Sequence, residues 1–232
     1  GFYQEYMNIA QSPDNAPFKP EWIQLHHYDY ERINGQNCLV REVGDERKVK
    51  PVDIYCGVDP ASSLSARADF FAICTIAVDN DNNKYVIDVY RNRISPAEQP
   101  KLIIDAYKKY KPRRMKIETV GYQEALRVAV RDLMREEELY IPGLESGVKP
   151  RNSKSERLLS LVPLFAKKQF YFRPQDIEPQ QEFLSYPKGK HDDVMDAVWT
   201  ALDGVKPCRL KEFDENAKDK PLSKKFLDWM TM

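Results

Sequence analysis

Three apolar runs decide the fold: "VDIYCGVD" at 52–59, "FFAICTIAVD" at 70–79 and "KYVIDVYRNRI" at 84–94. Each is rich in β-branched and aromatic residues and has the length of a strand rather than a helix. "NDNN" at 80–83 supplies turn residues between the second and third runs, so the three predict an antiparallel meander. Ser95-Pro96-Ala97-Glu98 then reads as a capping box with proline at the first helical position, opening a helix to about Tyr110. "RRMKIE" at 113–118 follows as a short strand. A strand reached through a helical crossover lies parallel to its partner. Meander, crossover helix and parallel strand define an α/β plan, a mixed central sheet with helices on both faces.

Further along, the pattern predicts a helix from about Tyr122 to Glu138, a short strand near "LYIP" (139–142), and one helix over "SKSERLLSLVPLFAKKQ" (153–169). That last helix carries a capping box from Ser153 to Glu156 and a kink at Pro163. "FYFRP" (170–174) is a further short strand, and a final helix runs from about Asp192 to Asp203. Before the meander, residues 1–20 are polar and carry three prolines, as a connector would. "WIQLHHYDYERI" and "QNCLVREV" flank Asn34-Gly35, a strong signal for a β-hairpin, and the charged stretch "GDERKVKP" (44–51) follows. The expected organisation is a linker with a hairpin (1–50), one α/β domain with a single core (51–204), and a charged tail (205–232). In that tail, "LSKKFLDWM" (222–230) is a candidate docking segment.

Composition narrows the class. With 42% apolar residues and no apolar run long enough to cross a bilayer, the chain reads as soluble, with no membrane partner. Cys38, Cys56, Cys74 and Cys208 have no C-x-x-C spacing and read as reduced thiols of a cytosolic protein. The 36 basic and 36 acidic residues cancel, so nucleic acid is not held by overall charge. Residues 141–190 nevertheless carry nine basic against five acidic residues, a modest local excess.

The chemistry lies in the acids. If the strand ending at Glu118 pairs in parallel with the strand ending at Asp59, two carboxylates meet about 5 Å apart at one sheet edge. Such a pair needs a counter-charge, and hard oxygen ligands favour Mg²⁺ or Mn²⁺. "GKHDDVMDAVWTAL" (189–202) starts an apolar helix with three aspartates. Asp193 and Asp196, three residues apart, share a helix face, while Asp192 suits the N-cap. Carboxylates from three elements can hold two ions about 3.5 to 4 Å apart, the spacing used in phosphodiester hydrolysis. Each acid alone has a plainer reading: Asp59-Pro60 as a turn, Glu118 as an exposed strand end, the aspartates as caps for the helix dipole. Asp196 resists that reading, because a charge between Met195 and Ala197 is rarely buried without a partner. Lys154 and Arg157 sit at a helix start against the dipole, which favours a phosphate-facing role; Lys190 is a weaker candidate of that kind, and His191 a supporting residue.

These segments, in order, resemble the nuclease domain of the tailed-phage large terminase subunit: "YCGVDPASSLSARADFFAICTIAV", "MKIETVGYQ", "SKSERLLSLVPLF" and "KHDDVMDAVWTAL". The leading "FYQEYMN" is similar to the junction that follows that family's ATPase domain. The resemblance implies a ribonuclease-H-like fold and a metal-dependent endonuclease that cuts concatemeric double-stranded DNA with two Mg²⁺ or Mn²⁺ ions during genome packaging. It implies Asp59, Glu118 and Asp193 as catalytic metal ligands, with Asp192 and then Asp196 as weaker candidates, and Asp69 as a support. Lys154 and Arg157 correspond to a basic helix start beside DNA. The implied partners are the terminase ATPase domain, the small terminase subunit and the portal, in the host cytoplasm. No G-x-x-x-x-G-K-[ST] occurs, so the ATPase motor is not in this chain. Two rival readings remain open at this level: a Holliday-junction resolvase or recombinase of the same fold, and a non-catalytic docking module.

Overall fold

A computed structural model describes residues 16–61, 70–118, 123–144, 152–210 and 212–213. Its strands are β1 (Gln24–Leu25), β2 (Asp29–Ile33), β3 (Gln36–Val43), β4 (Glu46–Pro51), β5 (Asp53–Asp59), β6 (Phe71–Val78), β7 (Lys84–Asn92), β8 (Arg114–Ile117) and β9 (Phe170–Phe172). Its α-helices are α1 (Gln99–Tyr110), α2 (Gln123–Glu136), α3 (Lys154–Leu159), α4 (Val162–Ala166), α5 (Ile177–Ser185) and α6 (Asp193–Leu202). A single 3₁₀ turn, Pro20–Trp22, precedes β1.

β5, β6 and β7 form the expected antiparallel meander. β8 adds to β5 in parallel, and β9 adds to β7 in parallel, giving a six-stranded sheet in the order β1-β9-β7-β6-β5-β8. Side-chain parity along the strands sends alternate residues to opposite faces. Ile54, Cys56 and Val58 of β5 and Met115 and Ile117 of β8 join the cluster beneath α1 and α2. Tyr55 of β5, Cys74 and Ile76 of β6 and Val86 of β7 join the cluster shared with α3 to α6. The core is therefore two apolar layers divided by the sheet rather than the single one expected.

α6 lies close against β5 because Gly57 has no side chain: a Cβ there would fall 2.0 Å from the Ala197 carbonyl oxygen and 2.3 Å from the Ala201 nitrogen. Ala197 and Ala201 are one turn apart, so small residues on both sides permit the approach. Phe165 and Phe183 meet the fully buried Phe18 edge-on, 4.9 and 5.1 Å between ring centres, and Phe170 and Phe172 pack against that pair. The stretch read as a linker thus contributes Phe18 and β1 to the packed domain.

Several local expectations are corrected. The Asn34-Gly35 hairpin forms with positive φ at both residues (50° and 75°), as a two-residue turn requires. The charged stretch after it, to which the sequence assigned no element, contains β4, the third strand of a separate antiparallel sheet β2-β3-β4. Its exposed, polar side chains hide the strand pattern. Ser95 and Glu98 do interact, with the Ser95 N–H donating 2.9 Å to Glu98 Oε2, but the helix begins later, with Pro100 in its first turn. The "LYIP" segment is a turn-bearing connection that anchors Met115 through the Pro142 carbonyl at 2.8 Å. Residues 153–169 form two short helices, not one kinked helix, because Pro163 falls in the first turn of α4, where its missing N–H costs nothing. The Ser153–Glu156 capping box is present in full. α5 has no counterpart in the expectations. All four cysteines are free and buried. Among the described residues, no helix is long and apolar enough to cross a membrane. "LSKKFLDWM", "FYQEYMN" and Asp69 lie outside the described residues.

Candidate active site

The parallel pairing of β5 with β8 runs Val58 opposite Ile117, so Asp59 and Glu118 leave the sheet side by side, and the Glu118 N–H donates 3.4 Å to the Val58 carbonyl. Both have the parity of Gly57 and Lys116, the residues that face α6, so both carboxylates project toward that helix. α6 runs with its first turn at this edge, since the Phe70 N–H donates 3.0 Å to Asp193 Oδ1. The antiparallel neighbour β7 brings Arg91 to the same edge, through the pairs Asp59–Ala72 and Ala72–Arg91. Four segments, β5, β7, β8 and α6, therefore converge at one end of the sheet.

Asp193 and Asp196 are each 3% exposed. Arg91 Nη2 lies 3.4 Å from Asp193 Oδ2, and His191 Nδ1 lies 3.7 Å from the same oxygen. Asp196 faces the other way, toward α3: Lys154 Nζ is 2.7 Å from Asp196 Oδ2 and 2.8 Å from Asp192 Oδ1. Arg157, 7% exposed, places Nη1 3.1 Å from Glu118 Oε1 and 3.9 Å from Asp196 Oδ1, with its guanidinium 4.7 Å from the Trp199 ring centre. Burial, reinforced by Asp196, Glu118 and then Asp193, holds the Asp59 carboxyl well above its ordinary pKa. Burial likewise raises Asp196 to about 6, against the pull of Lys154. Burial also lowers the Lys154 ammonium, but its hydrogen bonds to Asp192 and Asp196 outweigh that and leave it raised. Asp59 and Asp196 therefore ionise reluctantly in this pocket unless further positive charge arrives.

Asp192 occupies the N-cap position expected of it, yet its side chain makes no cap bond. Glu182 of α5 does that work: its Oε1 accepts from the Met195 N–H at 2.9 Å. Asp192 is drawn instead to Lys154. Burial raises Glu182 to about 7 despite this bond and despite Arg91, whose Nε is 3.8 Å away.

Residues 56–203 match the family described as the terminase RNaseH-like domain. The chain belongs to that terminase family. The large terminase nuclease of thermophilic phage G20c with bound magnesium superposes with a TM-score of 0.54 at 17% identity, over 82% of this chain and 98% of that one. The P22 large terminase nuclease domain gives 0.54 at 16% identity, over 82% and 92%. The nuclease domain of Thermus phage P74-26 gives 0.51 at 15% identity, over 83% and 96%. Comparison with curated proteins gives no match. The fold of this terminase domain is thus the ribonuclease-H-like α/β fold expected, a mixed sheet covered on both faces.

Of the candidate residues in this terminase domain, Asp59, Glu118, Asp193, Asp196, Asp192, Lys154 and Arg157 converge on one edge. Arg157, expected to face DNA phosphate, is instead turned inward onto the acids, because Trp199 and Glu118 enclose it. His191 stands edge-on to the Phe70 ring, 5.0 Å between centres, beside Asp193. Lys190 is exposed. Among the described residues, no three His, Cys, Asp or Glu side chains stand ready to ligate one ion. Cations stand among the acids: Lys154 bridges Asp192 and Asp196, Arg157 lies between Glu118 and Asp196, and Arg91 reaches Asp193. The donors nevertheless suit a hard divalent cation, being all oxygen, and Asp196 Oδ1 is buried with no hydrogen-bond partner among the described residues.

Arg91, Glu182 and Phe70 were not anticipated. Arg91 was legible in principle, as a cation of inward parity at the end of a buried strand. Glu182 was not, because α5 itself was unseen.

Proposed function

We propose that this domain is a metal-dependent endonuclease that hydrolyses phosphodiester bonds of concatemeric double-stranded DNA during viral genome packaging. The observation that carries the reading is the meeting of Asp59, Glu118 and the aspartates of α6 at one sheet edge. Family membership supports the packaging context, and the magnesium-bound G20c nuclease supports the choice of ion. In this reading Asp59 and Glu118 hold Mg²⁺ or Mn²⁺ from the sheet, and α6 completes the site. Of its acids, Asp196 shares Arg157 with Glu118, whereas Asp193 is engaged by Arg91 and the Phe70 N–H, which favours Asp196 as the nearer ligand, with Asp193 and Asp192 flanking it. The chemistry that a pair of such ions supplies when bound is a water nucleophile at neutral pH and charge neutralisation at the departing oxygen.

The chain's own contributions are positional. The α6 first turn, fixed by Glu182 and by the Phe70 amide, sets the distance of its acids from the sheet. Lys154, about half exposed, and the exposed Lys190 supply positive charge at the mouth for the DNA backbone. The ATPase domain, the small terminase subunit and the portal are the partners, and the host cytoplasm the setting, that this role brings with it.

Plasmid cleavage with Mg²⁺ or Mn²⁺ tests the proposal. Asp59→Asn and Glu118→Gln should each abolish cutting without unfolding the domain, and Asp196→Asn should cost more activity than Asp193→Asn. Unimpaired cutting by Asp59→Asn would remove the acid pair from the mechanism. Strong preference for four-way junctions over linear duplex would move the domain to the resolvases.

A further inference from the structure

Arg157 is a buried cation whose bonding is incomplete. Its Nε and Nη1 have no hydrogen bond of good geometry among the described residues, although Nη1 is within ion-pair distance of Glu118 at 3.1 Å. Asp196 Oδ1, 3.9 Å from the same nitrogen, is unsatisfied as well. A guanidinium built in as a permanent strut frequently engages a carboxylate through two parallel N–H bonds. This one has a single close oxygen, a loose second one and the face of Trp199 at 4.7 Å. It is held by charge rather than by directed bonds. Lys154 differs, because it bridges two carboxylates at 2.8 and 2.7 Å and is half exposed.

We propose that Arg157 is an internal counter-cation that occupies the acid pocket in place of a divalent ion, is displaced from Glu118 and Asp196 when the ion binds, and so sets the metal affinity of the site. The inference rests on the metal-dependent reading above and deepens it. In a poorly solvated pocket, two charges on one small ion neutralise Glu118, Asp196 and Asp59 better than one delocalised charge that reaches only two of them. Removing the guanidinium leaves the acids mutually repelling and more avid for a metal. Because Trp199 lies under the guanidinium, that ring senses the displacement.

Two measurements test this on the whole chain. The first uses the Trp22→Phe, Trp229→Phe protein, in which Trp199 is the only one of three tryptophans left. Titration with Mg²⁺ should change its emission saturably, and Arg157→Gln in that background should abolish the change. The second counts free Mn²⁺ by electron paramagnetic resonance. Arg157→Gln should bind Mn²⁺ about tenfold more tightly than wild type, equivalent to about 1.4 kcal/mol, with Arg157→Lys in between. Equal Mn²⁺ affinity in a folded Arg157→Gln protein overturns this inference and leaves the nuclease reading standing. If Arg157→Gln does not fold, an unresponsive Trp199 during Mg²⁺ binding to the Arg157 protein overturns it equally. Absence of Mn²⁺ binding to wild type overturns both readings.

Discussion

Gly57→Ala links the fold to the site. An alanine Cβ at this position would sit 2.0 Å from the Ala197 oxygen and 2.3 Å from the Ala201 nitrogen, whereas ordinary contact begins near 3.4 Å. Both obstacles are backbone atoms of α6, so no side-chain rotation relieves the clash, and the helix must lift by about 1.4 Å at that point. Overpacking of this kind costs about 1–3 kcal/mol, and more where backbone must move. For a chain of this size that lowers Tm by roughly 3–10 °C. The displaced helix also carries Asp193 and Asp196 away from Asp59 and Glu118. A 1 Å misplacement of reacting groups can cost about 10²-fold in rate, so cleavage should fall by that order even where the variant is fully folded. Thermal melting followed by circular dichroism, and plasmid cleavage with Mn²⁺ at a temperature well below the variant's Tm, separate the two effects. A Gly57→Ala protein that melts with wild type and cuts at the wild-type rate would refute the argument that this close approach positions the acids.

Two further outcomes follow from buried groups elsewhere. Phe18→Ala should destabilise the domain by about 3–5 kcal/mol, read by urea denaturation, because Phe18 is fully buried among Phe165, Phe183 and Tyr186; a cost below about 1 kcal/mol would show that the segment before β1 is not part of the fold. Lys84 is 1% exposed, and burial lowers its ammonium to about 8. Below that pH both folded and unfolded states carry the proton, and the folded state bears the full cost of a buried charge. Between pH 8 and the ordinary lysine value of 10.5 the unfolded state binds more proton, so this group's contribution to stability rises with pH. Lys84→Met should therefore stabilise the protein near pH 7 and flatten the stability-versus-pH curve between 8 and 10.5; parallel curves for variant and wild type would contradict this.

Much of the architecture was legible from residue order. Alternation and β-branching marked β5, β6 and β7. Asn34-Gly35 announced its hairpin because those two residues accept positive φ. The Ser153–Glu156 box marked the start of α3. β4 escaped because a strand in a small, exposed sheet needs no apolar face, and α5 escaped because Pro179 and the glutamines of "IEPQQEFLS" mask its buried side. The crossover rule made a parallel strand at Glu118 predictable, but that it pairs with the strand ending at Asp59, Val58 opposite Ile117, was a condition that the register met.

What the chain alone determined is which acids can meet: local propensity and strand parity are properties of neighbouring residues, and they bring Asp59, Glu118 and the start of α6 to one edge. Which acid of α6 faces the pair, and which cations stand between them, was decided only by tertiary packing. The orientation of α6 depends on a glycine and two alanines meeting across layers, on Glu182 capping it from another helix, and on Arg91 drawing Asp193 aside. Each of those contacts joins residues with no relation along the sequence, so no local pattern encodes them.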